Sequence, residues 1–271
     1  MIRKYNILII GCGFFSQNTY IPIIKKLFEN KNIYFFDERL ELTKKTAIKF
    51  KCNYLNKLSS KILSKNNITH CVLCFDRNRS YFYCRFILGC GINLFAEKPI
   101  CKNSEELKKL FLIAKKNKVQ FMSSFQRIYE KKIIKLRDNI KNTKNKPIEV
   151  SCNFQSGNFR HNKKTKIRTL EIIKNIKKIR NRNKIAFLIF LNRFWHIINA
   201  INFIYPFSKF KKKLKKINFI SYNITSYRLL FEYKNTNFKI IMNSNKKSGW
   251  YEKYNLKLKK KNYFAKLNVP M

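Results

Sequence analysis

Glu97, Lys98 and Pro99 are the residues of this sequence best suited to proton transfer, and they directly follow the apolar run 92–96. A proline ends a strand ladder, so the run should finish here with both charged side chains at its carboxyl end, where open α/β sheets bind ligands. A lysine in that place can donate a hydrogen bond or a proton to an oxygen whose carbon exchanges a hydride. Taken alone, the tripeptide is equally compatible with an exposed turn.

A glycine turn is the second feature with chemical capacity. Residues 11–16 read Gly-Cys-Gly-Phe-Phe-Ser, between the apolar run 5–10 and a helical pattern. Gly-x-Gly-x-x-small after a buried strand is typical of the phosphate-binding start of a dinucleotide-binding fold, although an ordinary strand-to-helix turn is the alternative. Gly11 permits the tight turn, and Gly13 lets the backbone approach a pyrophosphate at the positive end of the helix dipole. The candidate cofactor-binding residues of this turn are Gly11, Cys12, Gly13, Phe14 and Phe15.

Asp37 supplies the context for that turn. It ends the aromatic-rich run 33–36 and lies 26 residues after Gly11, near the spacing at which a carboxylate receives the ribose hydroxyls of NAD. Asp37 could also cap the helix that begins near Arg39, and the two roles are compatible. Arg39 could instead hold the additional phosphate of NADP. The acid favours NAD over NADP as the cofactor.

The elements that must position these residues predict an α/β fold with two domains. Over residues 1–125, alternating strands and helices predict a doubly wound parallel sheet. Its strand patterns occupy 5–10, 33–36, 69–75, 92–96 and 119–123, and its helical patterns 15–29, 39–50, 80–88 and 103–117. Over residues 126–271 we expect a second α/β domain. Its patterns are a helix at 130–141, a strand at 147–154, an apolar helix at 185–204, and antiparallel strands within 217–269.

The net charge of +46 comes from 60 Lys and Arg residues against 14 Asp and Glu. Such an excess would ordinarily suggest nucleic acid or an anionic membrane as the partner. The basic residues are, however, spread from Lys4 to Lys266. A solvated cationic surface is therefore favoured over a specific nucleic-acid site, and a polyanion-binding module is only a third hypothesis. Salt-sensitive adhesion to polyanions is still expected.

Cysteine usage and hydropathy indicate a cytoplasmic protein. Eight Cys without regular spacing predict reduced thiols, and Met1–Lys4 leads into a short strand rather than a signal peptide. Cys71 and Cys74 have C-x-x-C spacing, but i and i+3 of a strand point to opposite faces, so no metal site is expected. The apolar segment 185–205 contains Arg193, which would cost about 2.5–3.5 kcal/mol inside a bilayer, so a buried helix is predicted rather than a membrane span.

Within that apolar helix, Asn192, His196 and Asn199 fall at i, i+4 and i+7, on one face. Burying such a polar stripe without partners is costly, so it should face a cleft or a polar partner. A hydrogen-bonded core histidine is the alternative interpretation of His196.

Together these residues give the chain a resemblance to the glucose–fructose oxidoreductase/inositol dehydrogenase family (Gfo/Idh/MocA). Five features match in order: the Gly11-x-Gly13 turn, Pro22, Asp37, the block from Gly91 to Glu97-Lys98-Pro99, and Gln126-Arg127. The resemblance covers about residues 4–130 well, is thin over 131–205, and is only architectural beyond 205. It implies a Rossmann domain at 1–125 that binds NAD or NADP. It also implies a substrate domain at 126–271, truncated for the family, whose mostly antiparallel sheet often faces an oligomer partner.

The resemblance also implies an activity and roles for residues. Members usually transfer a hydride to or from the hydroxyl or carbonyl carbon of a sugar, cyclitol, sugar nucleotide or similar small molecule. In that pattern Lys98 is the catalytic lysine, Glu97 positions the cofactor, and His196 is an acid/base. Asn192 stands where the family carries Asp, and an amide can orient a substrate but cannot exchange a proton. This departure and the short second domain keep a second hypothesis open, a non-catalytic NAD(P)-binding sensor or scaffold.

Overall fold

The computed structural model describes residues 5–75, 77–141, 146–156, 194–206, 215–223, 226–233, 235–244 and 251–268. By its internal contacts the chain divides into two compact units, Met1–Ser124 and Phe125–Met271.

The first unit is built on a six-stranded parallel sheet. Its strands are β1 (Asn6–Ile10), β2 (Ile33–Phe36), β3 (Asn53–Tyr54), β4 (Ile68–Leu73), β5 (Asn93–Ala96) and β6 (Phe121–Ser123), in the order β3-β2-β1-β4-β5-β6. Residues 7–10 of β1 are all buried, as the continuous apolar run requires of a strand covered on both faces. Because the strand order runs outward in both directions from β1 and β4, a crevice opens at their carboxyl ends.

Helices cover both faces of this sheet. A π-helical stretch, Ser16–Tyr20, continues into α1 (Ile21–Leu27), and the other helices are α2 (Leu40–Phe50), α3 (Ser60–Lys65), α4 (Arg77–Gly89) and α5 (Ser104–Lys116). The doubly wound parallel sheet predicted from the sequence is confirmed. The first helix ends earlier than predicted, because Phe28 is extended. The last strand begins later, because Val119 N–H still bonds the Ala114 carbonyl at the end of α5.

The second unit carries a six-stranded, mostly antiparallel sheet, as predicted. Its strands are β7 (Glu149–Ser156), β8 (Lys215–Asn223), β9 (Ser226–Tyr233), β10 (Thr236–Ser244), β11 (Tyr251–Lys257) and β12 (Asn262–Asn268), in the order β12-β11-β7-β10-β9-β8. Only the pair of β7 and β10 is parallel among these strands. Helix α6 (Lys131–Lys141) and α7, the helical residues 194–204, pack on one face and bury its alternate apolar side chains.

A buried ion pair lies inside this second unit. Arg127 Nη2 is 2.8 Å from Glu252 Oε1, and Arg127 Nε donates to both oxygens of that carboxylate at 2.9 Å. Tyr254 donates its hydroxyl to Glu252 Oε2 at 2.6 Å. The side chains of Arg127 and Glu252 are 8% and 0% exposed. Burial alone would lower the pKa of Arg127, but its hydrogen bonds to Glu252 raise that pKa, so the guanidinium stays charged.

Three further features of the described residues concern cysteines, metal ligands and membrane spans. All eight cysteines lie among the described residues, and none forms a disulfide. Those residues also contain no group of three or more His, Cys, Asp or Glu that could hold a metal ion. None of the helices that the structure describes is long and apolar enough to cross a membrane. Of the predicted helix 185–204, the described part, 194–204, is helical.

Candidate functional site

The chain segments that follow β1, β2, β4, β5 and β6 meet at the carboxyl edge of the first unit's sheet. Backbone hydrogen bonds of 2.8–2.9 Å join them: Gly11 N–H to Phe36, Cys74 N–H to Ile10, Glu97 N–H to Leu73, and Ser124 N–H to Ala96. Because neighbouring strands lie about 4.8 Å apart, the ends of β1 and β5, on either side of β4, are about 10 Å apart. The glycine turn, Asp37, Glu97 and Lys98 therefore lie along one edge of one sheet.

The two glycines of the turn differ in the space beside their backbone. Gly11 has φ +95°, and a Cβ there would lie 2.2 Å from the backbone oxygen of Cys74, so the turn requires glycine at this position. A Cβ on Gly13 would meet nothing within 4 Å. The backbone at Gly13 is therefore bare toward open space, as close approach of a ligand needs.

The helix that follows the turn offers backbone donors to that space. Its first hydrogen bond runs from Gln17 N–H to the Gly13 carbonyl at 3.0 Å, and the N–H groups of residues 14–16 precede it. Ser16 is 1% exposed, so the small residue packs tightly at the base of the helix. Three features of this turn together fit a pyrophosphate: the positive φ of Gly11, the uncovered backbone of Gly13, and the N–H donors at the start of the helix.

Asp37 reaches back to the glycine turn. Its side chain is 2% exposed, and Oδ2 accepts a hydrogen bond from Cys12 N–H at 2.9 Å. Cys12 thus contributes its backbone to the turn, and burial raises the pKa of its thiol to about 12, so the thiol stays protonated. Asp37 Oδ1 accepts a bond from Arg39 N–H at 3.0 Å, but Arg39, not Asp37, is the N-cap residue of α2, so Asp37 does not cap that helix.

Two arginines pair with the acids that follow β2. Arg39 Nε lies 3.0 Å from Asp37 Oδ1, and Arg39 Nη2 lies 3.2 Å from Asp37 Oδ2. Burial would raise the pKa of Asp37, but the hydrogen bonds from Arg39 and Cys12 outweigh it and lower that pKa. Glu38 pairs with Arg79 of α4 and also accepts the hydroxyl of Tyr83 at 2.7 Å. Both acids therefore form ion pairs with arginines at this edge.

Glu97 is held by a contact that sequence reasoning missed. The Tyr20 hydroxyl donates to Glu97 Oε2 at 2.5 Å and lies 2.9 Å from Ser124 Oγ. Burial, and then the charge of Glu97, raise the pKa of Tyr20, so the phenol remains a protonated donor at neutral pH. Tyr20 ends the π-helical stretch, which rotates the helix face, and apolar periodicity carries no signal of such a turn.

Lys98 follows Glu97 at the end of β5, and its side chain is half-buried. The peptide between Lys98 and Pro99 is cis. The structure thus brings Lys98 to the same edge as the glycine turn and Asp37. His196 and Asn199 lie on α7 in the second unit, both half-buried, whereas Asn192 lies outside the described residues.

The first unit also matches a known protein family in sequence. Residues 5–125 match the model of the oxidoreductase family with an NAD-binding Rossmann fold. A comparison with curated proteins gives no significant match in sequence.

Solved structures resemble the chain over nearly its whole length. Scyllo-inositol dehydrogenase from Lactobacillus casei, with bound NAD(H) and scyllo-inositol, matches with a TM-score of 0.74 and 12% identity, over 96% of this chain and 76% of that one. GenD2 from gentamicin A biosynthesis, in complex with NAD, matches with a TM-score of 0.72 and 11% identity, over 98% of this chain and 73% of GenD2. KijD10, a 3-ketoreductase from Actinomadura kijaniata in complex with NADP, matches with a TM-score of 0.63 and 10% identity, over 97% of this chain and 75% of KijD10. At these identities the likeness shows a shared fold.

Proposed function

Because residues 5–125 belong to the Gfo/Idh/MocA oxidoreductase family, with its NAD(P)-binding Rossmann fold, we propose that this chain is a nicotinamide-dependent oxidoreductase. The observation that carries the proposal is the placement of three features at one edge of one sheet. These are the glycine turn after β1, Asp37 after β2, and Lys98 after β5. A dinucleotide laid across the strand ends would meet all three.

Each part of the dinucleotide has matching residues. Gly13 and the N–H groups of residues 14–16 would hold the pyrophosphate, with Gly11 shaping the turn. Asp37 and Arg39 would face the adenosine end of the dinucleotide. The strand order then leaves the β4–β5 side, with Glu97 and Lys98, for the nicotinamide. When bound, the nicotinamide supplies hydride chemistry.

Lys98 is proposed as the catalytic residue of this edge. It would donate a hydrogen bond or proton to the oxygen on the substrate carbon. Glu97, held by Tyr20, would position the segment that carries Lys98. His196 is the proposed second proton-transfer group, and Asn192 would orient the substrate. As for the family in general, the proposed substrates are sugars, cyclitols, sugar nucleotides and similar small molecules.

A second candidate function is a non-catalytic NAD(P)-binding sensor or scaffold. The feature that favours it is Asn192, an amide where the resemblance requires a carboxylate. The chain also spans only 73–77% of the length of the structures that it resembles. Dinucleotide binding without turnover on any substrate would identify this function.

The test is a fluorescence titration of the full chain with NADH and NADPH, followed by a panel of sugars and cyclitols with the same sample. Saturable binding and turnover would support the oxidoreductase. Saturable binding without turnover would select the sensor or scaffold. A chain that binds neither dinucleotide is incompatible with both functions.

The exposed face of the C-terminal sheet and the eight thiols bear on the oligomeric state and the cellular compartment of the protein. We propose a homo-oligomer through the C-terminal sheet, supported by Phe264, which is 70% exposed while its neighbour Ala265 packs inward. Sedimentation equilibrium would refute this if the chain stayed monomeric at micromolar concentrations. A reducing, cytoplasmic compartment is supported by the eight thiols, and detection of the protein only outside cells would contradict it.

Tyr20→Phe tests the contact that holds Glu97. Loss of a hydrogen bond to a charged group costs about 1.5–3 kcal/mol, so kcat should fall about tenfold or more if that bond orders the catalytic segment. The dissociation constant for the dinucleotide should change little. Steady-state kinetics and a binding titration measure the two effects.

Tyr54→Phe is the matched control, because Tyr54 is 41% exposed on β3 in the same unit. It should leave both constants unchanged. If Tyr20→Phe alters binding and kcat equally, Tyr20 supports only the local fold.

A further inference from the structure

The carboxylate of Asp37 has no acceptor position left for a ribose hydroxyl. An ionised carboxylate has about four lone-pair sites. In the structure Asp37 accepts four N–H groups, one from the Cys12 backbone, one from the Arg39 backbone, and two from the Arg39 guanidinium. Its side chain is also only 2% exposed. A ribose can reach this carboxylate only after Arg39 swings away.

The need to displace Arg39 disfavours NAD, the dinucleotide whose adenosine ribose carries no 2′-phosphate. The two bonds from the guanidinium join opposite charges, and such bonds are stronger than those that neutral hydroxyls would put in their place. Removing Arg39 from Asp37 also exposes a buried carboxylate while the ligand enters. Binding of NAD would therefore spend part of its free energy on breaking an ion pair that already exists.

An additional phosphate meets the reverse situation. The Arg39 side chain is 67% exposed and lies outside the buried Asp37, so an arriving anion meets the guanidinium before the carboxylate. A guanidinium is planar with five N–H donors, and it binds phosphates through pairs of them. From the buried side outward, the Asp37 carboxylate would then be followed by the Arg39 guanidinium and by the phosphate of the ligand. Arg39 could keep its bonds to Asp37 in this arrangement.

Arg79 places a second cation at this edge. Its side chain is 60% exposed and is fixed by the ion pair with Glu38, the residue next to Asp37. Although both arginine side chains are exposed, each is oriented by an ion pair with an acid. Less conformational entropy is therefore lost when a phosphate binds to them. The net charge of +46 further favours the more anionic ligand.

We propose that this chain prefers the 2′-phosphorylated dinucleotide, NADP(H), and that Arg39 determines this preference. The inference rests on the proposed dinucleotide-binding function. It differs from the preference for NAD that the spacing of Asp37 alone suggests, because Arg39 covers the carboxylate that would read the ribose.

The test compares dissociation constants of NADH and NADPH by fluorescence titration of the full chain at fixed, near-physiological salt. We expect NADPH to bind about tenfold tighter or more, given a charge-assisted contact that NADH cannot make. Arg39→Ala should weaken NADPH by about the same factor and leave NADH unchanged or tighter, since Asp37 regains two acceptor positions.

Lys45→Ala is the matched control, because it removes one exposed positive charge from the same helix, α2. It should leave the ratio of the two constants unchanged. The wild-type ratio decides the matter even if Arg39→Ala fails to fold. NADH binding as tightly as NADPH overturns this inference alone, whereas binding of neither dinucleotide overturns the proposed function with it.

Discussion

Lys98→Ala should abolish turnover while leaving the dinucleotide affinity nearly unchanged. A group that transfers a proton in the transition state contributes about 10²- to 10⁴-fold to the rate, and alanine can neither donate nor accept one. The glycine turn and the pair of Asp37 and Arg39, which we propose as the cofactor-binding groups, follow β1 and β2 and do not depend on the Lys98 side chain. Single-turnover kinetics and an NADPH titration on the same preparation measure the two quantities.

Two further variants sharpen this result. Lys102→Ala removes an exposed lysine four residues away and should change neither quantity. Lys98→Arg keeps the charge but remains protonated at any accessible pH, so it separates electrostatic stabilisation from proton transfer. An equal loss of binding and turnover in Lys98→Ala would show that Lys98 holds the cofactor rather than acts on the substrate.

Arg127→Met should destabilise the second unit by about 3–5 kcal/mol, because it leaves the buried Glu252 carboxylate without its cation. Glu252 is 0% exposed, so water cannot replace the guanidinium without opening the sheet. The effect would appear as a lower midpoint of urea unfolding, followed by circular dichroism of the strands.

Adding Glu252→Leu and Tyr254→Phe to Arg127→Met should recover most of that loss, since the triple variant removes both charges and also the buried Tyr254 hydroxyl that would lose its acceptor. Lys253→Met, on the same strand but exposed, should stay within about 0.5 kcal/mol of the wild type. A single Arg127→Met variant as stable as the wild type would show that this buried ion pair does not stabilise the second unit.

Local signals allowed much of the first unit to be predicted from sequence. The glycine turn, the apolar strand runs and the acid first turn of α5 are each encoded within a few consecutive residues. Asn103, for example, caps α5 by accepting the Glu106 N–H at 2.9 Å, as such a helix start predicts. The two-residue β3 and the six-residue α3 are too short for periodicity to reveal.

Long-range pairings could not be predicted in this way. Tyr20 and Glu97 are 77 residues apart, and Arg127 and Glu252 are 125 apart, so no spacing rule links them. Even the local pair of Asp37 and Arg39 was ambiguous, because the sequence allowed a cap, a ribose ligand or a phosphate ligand. The phosphate-binding role that we propose rests on the burial of the carboxylate beneath the guanidinium, which the sequence does not reveal.

The position of β7 governs the order in which the chain can fold during synthesis. All strands of the first unit are complete once residue 124 has been made, but β7 pairs with β10 and β11, whose residues emerge some 80–100 positions later. Until those residues have been synthesised, the apolar side chains of β7 lack the strands that flank them in the sheet; these are Val150, Cys152 and Phe154. A nascent chain stalled at residue 200 should protect the first unit from protease but leave residues 149–156 open to cleavage.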